Sequence, residues 1–299
     1  MSPPERLRVR SYAKINLGLR ILGERPDHYH EIETVFQLID LSDTIEFLIS
    51  PSPNIELSTN YSFLSNESNL IVKAAKLLRA TYQVSQGIRV KLTKNIPVGG
   101  GLGGGSSNAA ITLWSLQKIW DLPCTPNELQ LLGGQLGSDI PFFFTGGCAH
   151  ATGKGEVLTE FPFSGNYWVV TITPNFGIST AWAYQNLTLT KFDKNLKLIS
   201  LISENLPALD QWSSVFTNDF EPTVLERYPE IGQNKEDLKK LKADFCSLSG
   251  SGGTVYGVFE TEEKAQGAFS TLVKKKNCNV HICRPIFLPG LDGLIIDQS

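Results

Sequence analysis

The chain has 299 residues, enough for one large or two ordinary domains, and its 41% hydrophobic content can build real cores. A net charge of −3 at pH 7 gives no basic field, which argues against nucleic acid as a bulk partner and favours a small molecule. No apolar stretch approaches membrane-spanning length, the start Met-Ser-Pro-Pro-Glu-Arg-Leu-Arg lacks a signal-peptide core, and five scattered cysteines show no paired spacing, so a cytoplasmic protein with reduced thiols is expected.

Alternation with period two predicts half-buried strands over residues 7–10, through Ile15, Leu17, Leu19 and Ile21, over Ile45, Phe47 and Ile49, and over Ile88, Val90 and Leu92. On the second of these Lys14 and Asn16 share one face while Ala13, Ile15 and Leu17 share the other. A lysine and an amide so placed can ligate an anionic group, although an exposed strand lysine is the ordinary alternative. His28 and His30 stand two apart with no further ligands evident, so no metal is assigned to them. Ser68 reads as the N-cap of a helix carrying Leu70, Ala74, Leu77 and Leu78.

Residues 97–110 read Pro-Val-Gly-Gly-Gly-Leu-Gly-Gly-Gly-Ser-Ser-Asn-Ala-Ala, and from Ala109 apolar residues recur at i, i+4, i+7 and i+11, the spacing of a buried helix. The glycines therefore open a helix N-terminus. Unpaired N–H groups and the positive dipole end make such a place a site for a phosphate chain, with a nucleotide as first candidate. A Walker loop needs Lys and then Ser or Thr after its last glycine, whereas Gly105 is followed by Ser106, Ser107 and Asn108. A dinucleotide fingerprint wants an acidic residue closing a second strand, and Asp121 instead lies just past a helix. A flexible linker would have polar low-complexity flanks, which are absent.

Thr125-Pro126-Asn127-Glu128 is a capping box that opens a helix to Leu136. Ser138 and Asp139 follow, just before Ile-Pro-Phe-Phe-Phe. A carboxylate entering such a run is partly buried and needs a partner or a task, helix capping being the bland alternative. Set beside Lys14, Asp139 can accept the proton of an attacking hydroxyl while the lysine keeps it ionised and neutralises a transferring phosphoryl group. That division of labour belongs to a kinase.

Short strands are expected at residues 149–151 and 156–158, and residues 161–166 mark a domain boundary, dividing the chain into 1–163 and 164–299. A strand at 168–173, helical stretches, a strand-turn-strand over 245–259, a helix at 262–274 and a strand at 280–284 suit a split βαβ sandwich of four strands. The turn Ser249-Gly250-Ser251-Gly252-Gly253 reads equally as a plain hairpin or as a second loop facing phosphate or substrate.

The glycine-rich segment, the Lys14 strand and the loop at 249–253 resemble, in order and spacing, the three motifs of the GHMP kinases, the small-molecule kinases named for galactose, homoserine, mevalonate and phosphomevalonate. The likeness covers nearly the whole chain. Ser-Tyr-Ala-Lys-Ile-Asn-Leu at 11–17, Arg-Pro-Asp-His-Tyr-His at 25–30, the doubled triple-glycine block and Gly-Ser-Asp-Ile-Pro-Phe-Phe at 137–143 resemble the branch that acts on a cytidine diphosphate-linked methylerythritol in the non-mevalonate isoprenoid route.

The resemblance implies an α+β fold of two domains: an N-terminal mixed domain with a left-handed βαβ unit and a C-terminal ferredoxin-like split βαβ domain. It implies that Pro97, Gly99, Gly100, Gly101, Leu102, Gly103, Gly104, Gly105, Ser106 and Ser107 hold ATP, with Ser106 or Ser107 near Mg²⁺ and Ser107 taken as the metal ligand. Lys14 and Asp139 become the catalytic pair, and Asn16, Tyr29, His30, Thr180 and Tyr184 join Asp139 in binding the substrate, with Tyr29, His30 and Tyr184 around the cytosine. The branch usually has glycine where His28 stands; if that glycine takes φ > 0, His28 must either tolerate that conformation or reshape the turn and move Tyr29. The competing expectations are another GHMP kinase of homoserine or mevalonate type, and a silent sensor of the same fold, which would be expected to lose Lys14 or Asp139.

Overall fold

The computed structural model describes residues 3–160, 165–187, 198 and 208–299. Strands β1 (Arg6–Glu24) and β2 (His30–Ser50) form one long antiparallel hairpin. Its turn is closed by Arg25 N–H donating to the Tyr29 carbonyl at 2.7 Å and His28 N–H to the Arg25 carbonyl at 3.0 Å. His28 takes φ of 61°, the left-handed conformation expected of the position that glycine usually fills.

The hairpin is longer than the alternation suggests. Residues 30–44 were not expected as strand, because β2 serves two partners on one edge. It pairs with β4 (Gly87–Thr93) at residues 44–50 and with β5 (Cys148–Thr152) at residues 34–37, so its burial runs on through polar positions such as Thr34 and Gln37. Strand β6 (Val157–Glu160) extends the sheet beyond β5, and β3 (Ile55–Thr59) lies parallel to β4, joined to it through helix α1 (Leu70–Tyr82) as a βαβ unit. Helix α1 starts one residue later than expected. Asn69, not Ser68, is its N-cap, with Oδ1 accepting from Ile71 N–H at 2.9 Å, while Ser68 hydrogen-bonds Asn66.

Helices α2 (Gly104–Ile119) and α3 (Pro126–Leu136) pack with α1 against this sheet over a core that includes Leu7, Phe47, Leu78, Val90, Leu113 and Leu116. The capping box at Thr125 and Glu128 is formed in both directions.

The second sheet contains β7 (Trp168–Pro174), β8 (Phe245–Leu248), β9 (Val255–Phe259) and β10 (Cys278–Cys283) in the antiparallel order β10-β7-β9-β8. That is the order of a ferredoxin-like split βαβ domain. Between β7 and β8 come α4 (Thr180–Gln185), α5 (Trp212–Val215), α6 (Glu221–Arg227) and α7 (Pro229–Lys240), and α8 (Glu262–Leu272) links β9 to β10. Leu238, Leu272, Ile172 and Val255 share its core. The last strand, β11 (Ile295–Gln298), returns to pair with β1. Of the expected boundary at residues 161–166, positions 161–164, which include the division between 163 and 164, lie outside the described residues. Among the described residues no helix is long and apolar enough to cross a membrane.

Candidate active site

The glycine run reverses the chain between β4 and α2 by taking left-handed φ values of 70°, 80° and 67° at Gly99, Gly101 and Gly103. Helix α2 begins inside the run, earlier than the apolar pattern from Ala109 suggests, because Gly103 serves as N-cap. No side chain caps it, so its first N–H groups remain available to a ligand. Pro97 and residues 99–106 all line a cavity of about 500 Å³ that Phe63, Asn66 and Asn69 complete. Ser107 does not line it. That residue is 1% exposed and its Oγ lies 2.7 Å from Ser11 Oγ, so Ser106 is the serine at the cavity.

Beneath the loop, Lys94 Nζ donates to Asp43 Oδ2 and to the Ile96 carbonyl, both at 2.7 Å. Burial lowers the Lys94 pKa, and Asp43 opposes that shift. A Cβ on Gly104 would stand 2.8 Å from this ammonium, so the buried pair reaches the floor of the loop.

A second cavity, of about 690 Å³, shares Gly101 and Gly103 with the first and is lined by Lys14, Asn16, Tyr29, His30, Asp139, Thr180 and Tyr184. Strand β1 presents Lys14 and Asn16, the turn after α3 presents Asp139, and the N-terminus of α4 presents Thr180. Lys14 Nζ sits 3.5 Å from Asp139 Oδ2, donates to Asn16 Oδ1 at 2.6 Å and lies 4.9 Å from the centroid of the Phe36 ring. Burial is the larger influence on Lys14 and lowers its pKa, while Asp139 pulls it back up. Asp139 keeps 34% of its side chain exposed, whereas its partner lysine, at 4%, meets the cavity only at the edge of an otherwise buried side chain.

His30 and Tyr184 stack with centroids 4.7 Å apart and planes 29° apart, and Phe220 meets Tyr184 edge-on at 4.9 Å. Burial, with Asp139 adding to it, pushes the Tyr184 hydroxyl up to about 12, so the ring stays neutral. Tyr29 is 60% exposed, and Lys154 Nζ stands 4.5 Å from its ring centroid.

Lys154 was not expected. It lines the second cavity from a loop between Gly153 and Gly155, whose φ values are 71° and 110°, and that Gly-Lys-Gly setting is the signal in the sequence that could have found it. The loop at 249–253 does two things at once. Ser249 Oγ donates to the Gly101 carbonyl at 3.0 Å and Thr254 N–H to the Gly100 carbonyl at 3.1 Å, while Gly250 and Ser251 line the second cavity, Ser251 Oγ donating to Thr180 Oγ1 at 3.2 Å.

Residues 69–147 match the model of the GHMP kinases N terminal domain, and residues 197–277 that of the GHMP kinases C terminal domain. A 4-diphosphocytidyl-2-C-methyl-D-erythritol kinase of Geobacillus kaustophilus (strain HTA426) is 40% identical over 272 residues, covering 89% of this chain and 93% of that protein. The chain belongs to the GHMP kinases, in the branch of the 4-diphosphocytidyl-2-C-methyl-D-erythritol kinases. As a GHMP kinase it is an ATP-using phosphotransferase with a small-molecule acceptor.

A crystal structure of a 4-(cytidine 5'-diphospho)-2C-methyl-D-erythritol kinase aligns with a TM-score of 0.76 at 28% identity, covering 93% of this GHMP kinase and 99% of that chain. A homoserine kinase from Cytophaga hutchinsonii also reaches 0.76, at 17% identity and with 96% of each chain covered. The fold is thus common to kinases of different acceptors, and the acceptor is set by the side chains of the site rather than by the fold.

Proposed function

We propose that this kinase transfers the γ-phosphoryl group of ATP to the 2-hydroxyl of 4-diphosphocytidyl-2-C-methyl-D-erythritol, a step in isoprenoid precursor synthesis. The observation that carries the proposal is the Lys14–Asp139 pair, 3.5 Å apart in a cavity that shares Gly101 and Gly103 with the cavity of the glycine loop. An acceptor alcohol in the second cavity and phosphates in the first would meet at these two glycines.

In this reading Asp139 takes the hydroxyl proton as the oxygen attacks the γ-phosphorus. The bond to the β-γ bridging oxygen breaks in line and ADP leaves with the electron pair. Lys14, held between Asn16 and Asp139, offsets charge on the transferring group, and the backbone N–H groups at the start of α2 hold the β- and γ-phosphates. His30 and Tyr184 offer ring faces and an imidazole edge to a cytosine, and Lys154 offers a cation to the diphosphate that joins it to the sugar alcohol.

Among the described residues no group of three His, Cys, Asp or Glu could hold a metal. Ser106 at the first cavity and Asp139 at the second are the oxygen donors that would hold an Mg²⁺ brought in on the ATP phosphates. When bound, the ion would neutralise phosphate charge. A cytoplasmic setting suits the five free thiols.

The test is ATP-dependent phosphate transfer to a panel of alcohols. The cytidyl substrate should be phosphorylated at its 2-hydroxyl, while methylerythritol phosphate without the cytidyl end, homoserine and mevalonate should be poor acceptors. Efficient turnover of homoserine or mevalonate, with none of the cytidyl alcohol, would refute the assignment.

A further inference from the structure

Strand β1 carries a bulge beside the proposed catalytic lysine. Its register against β2 shifts between Asn16 and Gly18, so that Gly18 lies opposite Val35 and Leu19 opposite Thr34. The Gly18 carbonyl accepts a hydrogen bond from the hydroxyl of Thr34, a residue of β2 that is 0% exposed. Thr34 Oγ1 in turn accepts from Asn16 Nδ2 at 2.9 Å, and Asn16 Oδ1 accepts from Lys14 Nζ at 2.6 Å.

The chemistry of the two ends fixes the direction of this chain. A carbonyl only accepts, so the Thr34 proton points at Gly18 and its oxygen is left to accept from Asn16. An ammonium only donates, so the atom of Asn16 facing Lys14 has to be Oδ1. Both ends impose the same orientation on an amide that is 1% exposed. We infer that Thr34 is a positioning residue of the phosphoryl transfer: through Asn16 it keeps a permanent acceptor on Lys14 and so holds the ammonium in place beside Asp139. The inference rests on the reading of Lys14 and Asp139 as the catalytic pair.

Without the hydroxyl, Asn16 Nδ2 faces a hydrocarbon and the amide is free to turn its NH₂ group toward Lys14. Two donors then oppose each other, and the lysine both shifts and loses its proton more readily. Asp139, from the turn after α3, is the charged group set against Lys14, while Asn16 of β1 and Phe36 of β2 are neutral.

The experiment compares Thr34→Val, which keeps the shape, with Thr34→Ser, which keeps the hydroxyl. Thr34→Val should lower kcat by roughly 10- to 100-fold, leave KM for ATP within about 3-fold and move the alkaline limb of the kcat–pH profile down by about one unit, the effect of one lost charged hydrogen bond. Thr34→Ser should restore the limb and bring kcat back to within about 3-fold of the parent. A Thr34→Val enzyme with unchanged kcat, or one that loses rate with its alkaline limb unmoved, would overturn the inference, since a purely structural role does not shift the limb.

Lys14→Met separates the two levels of the account. If it abolishes turnover while Thr34→Val leaves kcat and the alkaline limb unchanged, only the positioning role falls; if it retains turnover, the catalytic reading of Lys14 falls and the positioning role with it. Should Thr34→Val not fold, the parent protein answers by NMR. The Asn16 side-chain amide protons should show contacts to the Thr34 methyl group, and contacts to the Lys14 ε-methylene instead would overturn the inference.

Discussion

Gly101 and Gly252 stand back to back, each occupying the space that a side chain on the other would need. A Cβ on Gly252 would lie 2.4 Å from the Gly101 nitrogen, and one on Gly101 would lie 3.1 Å from the Gly252 Cα. The glycine loop of the first domain is thus seated on the β8–β9 loop of the second by backbone contact, with Ser249 and Thr254 adding hydrogen bonds.

Gly252→Ala is therefore expected to act as overpacking, costing about 1–3 kcal/mol of stability. Because the displaced atoms belong to the glycine loop, KM for ATP should rise by about 10-fold or more while KM for the alcohol changes less. Thermal unfolding and initial rates with each substrate varied in turn would check both.

The alkaline side of the pH profile should belong to Lys14. Its burial lowers its pKa from the ordinary lysine value, so the charged form to which the proposed mechanism assigns the offset of phosphoryl charge is lost earlier as pH rises than for a free lysine. The kcat profile should fall on the alkaline side below that value. Lys14→Arg, which stays charged, should be slower but should lack this limb, as a kcat–pH series on both proteins would reveal.

The His30–Tyr184 stack predicts a change confined to one substrate. Tyr184→Ala removes the ring that meets His30 and Phe220, at about 0.5–1.5 kcal/mol per aromatic pair beyond area burial. KM for the cytidyl alcohol should rise by about 5- to 30-fold, with KM for ATP within about 2-fold. Steady-state kinetics with both substrates provide the comparison.

At the hairpin turn, His28 accepts a left-handed backbone with its side chain 90% exposed. His28→Gly should change stability by less than about 0.5 kcal/mol, since relief of the strain is offset by the entropy of a more flexible unfolded chain. His28→Val, a β-branched residue at φ of 61°, should cost about 1–3 kcal/mol and raise KM for the alcohol as Tyr29 shifts. Denaturant titration and acceptor kinetics on the two variants check the pair.

What the sequence makes legible is largely local. The glycine run and the capping box at Thr125 are written in consecutive residues, and the structure forms both. Lys14 and Asp139 could be nominated from strand facing and an apolar neighbourhood, but their approach depends on how β1 and the turn after α3 pack, which no spacing encodes. The long β2 escaped because its burial comes from two partner strands rather than from its own alternation. Lys154 escaped because a lysine between glycines looks like a surface turn until Tyr29 is placed under it. The resemblance implies Ser106 or Ser107 near Mg²⁺, with Ser107 taken as the ligand; the phase of α2 turns Ser107 toward Ser11 and leaves Ser106 at the cavity.

The most direct measurement is turnover of Asp139→Asn with ATP and the cytidyl alcohol, alongside ATP binding to the same protein. The substitution keeps the shape and removes the base, so kcat should fall by about 10²- to 10⁴-fold while ATP affinity stays within about 3-fold. A variant that binds ATP normally and retains near-parental turnover would contradict the assignment of Asp139 and, with it, the mechanism built on its contact with Lys14.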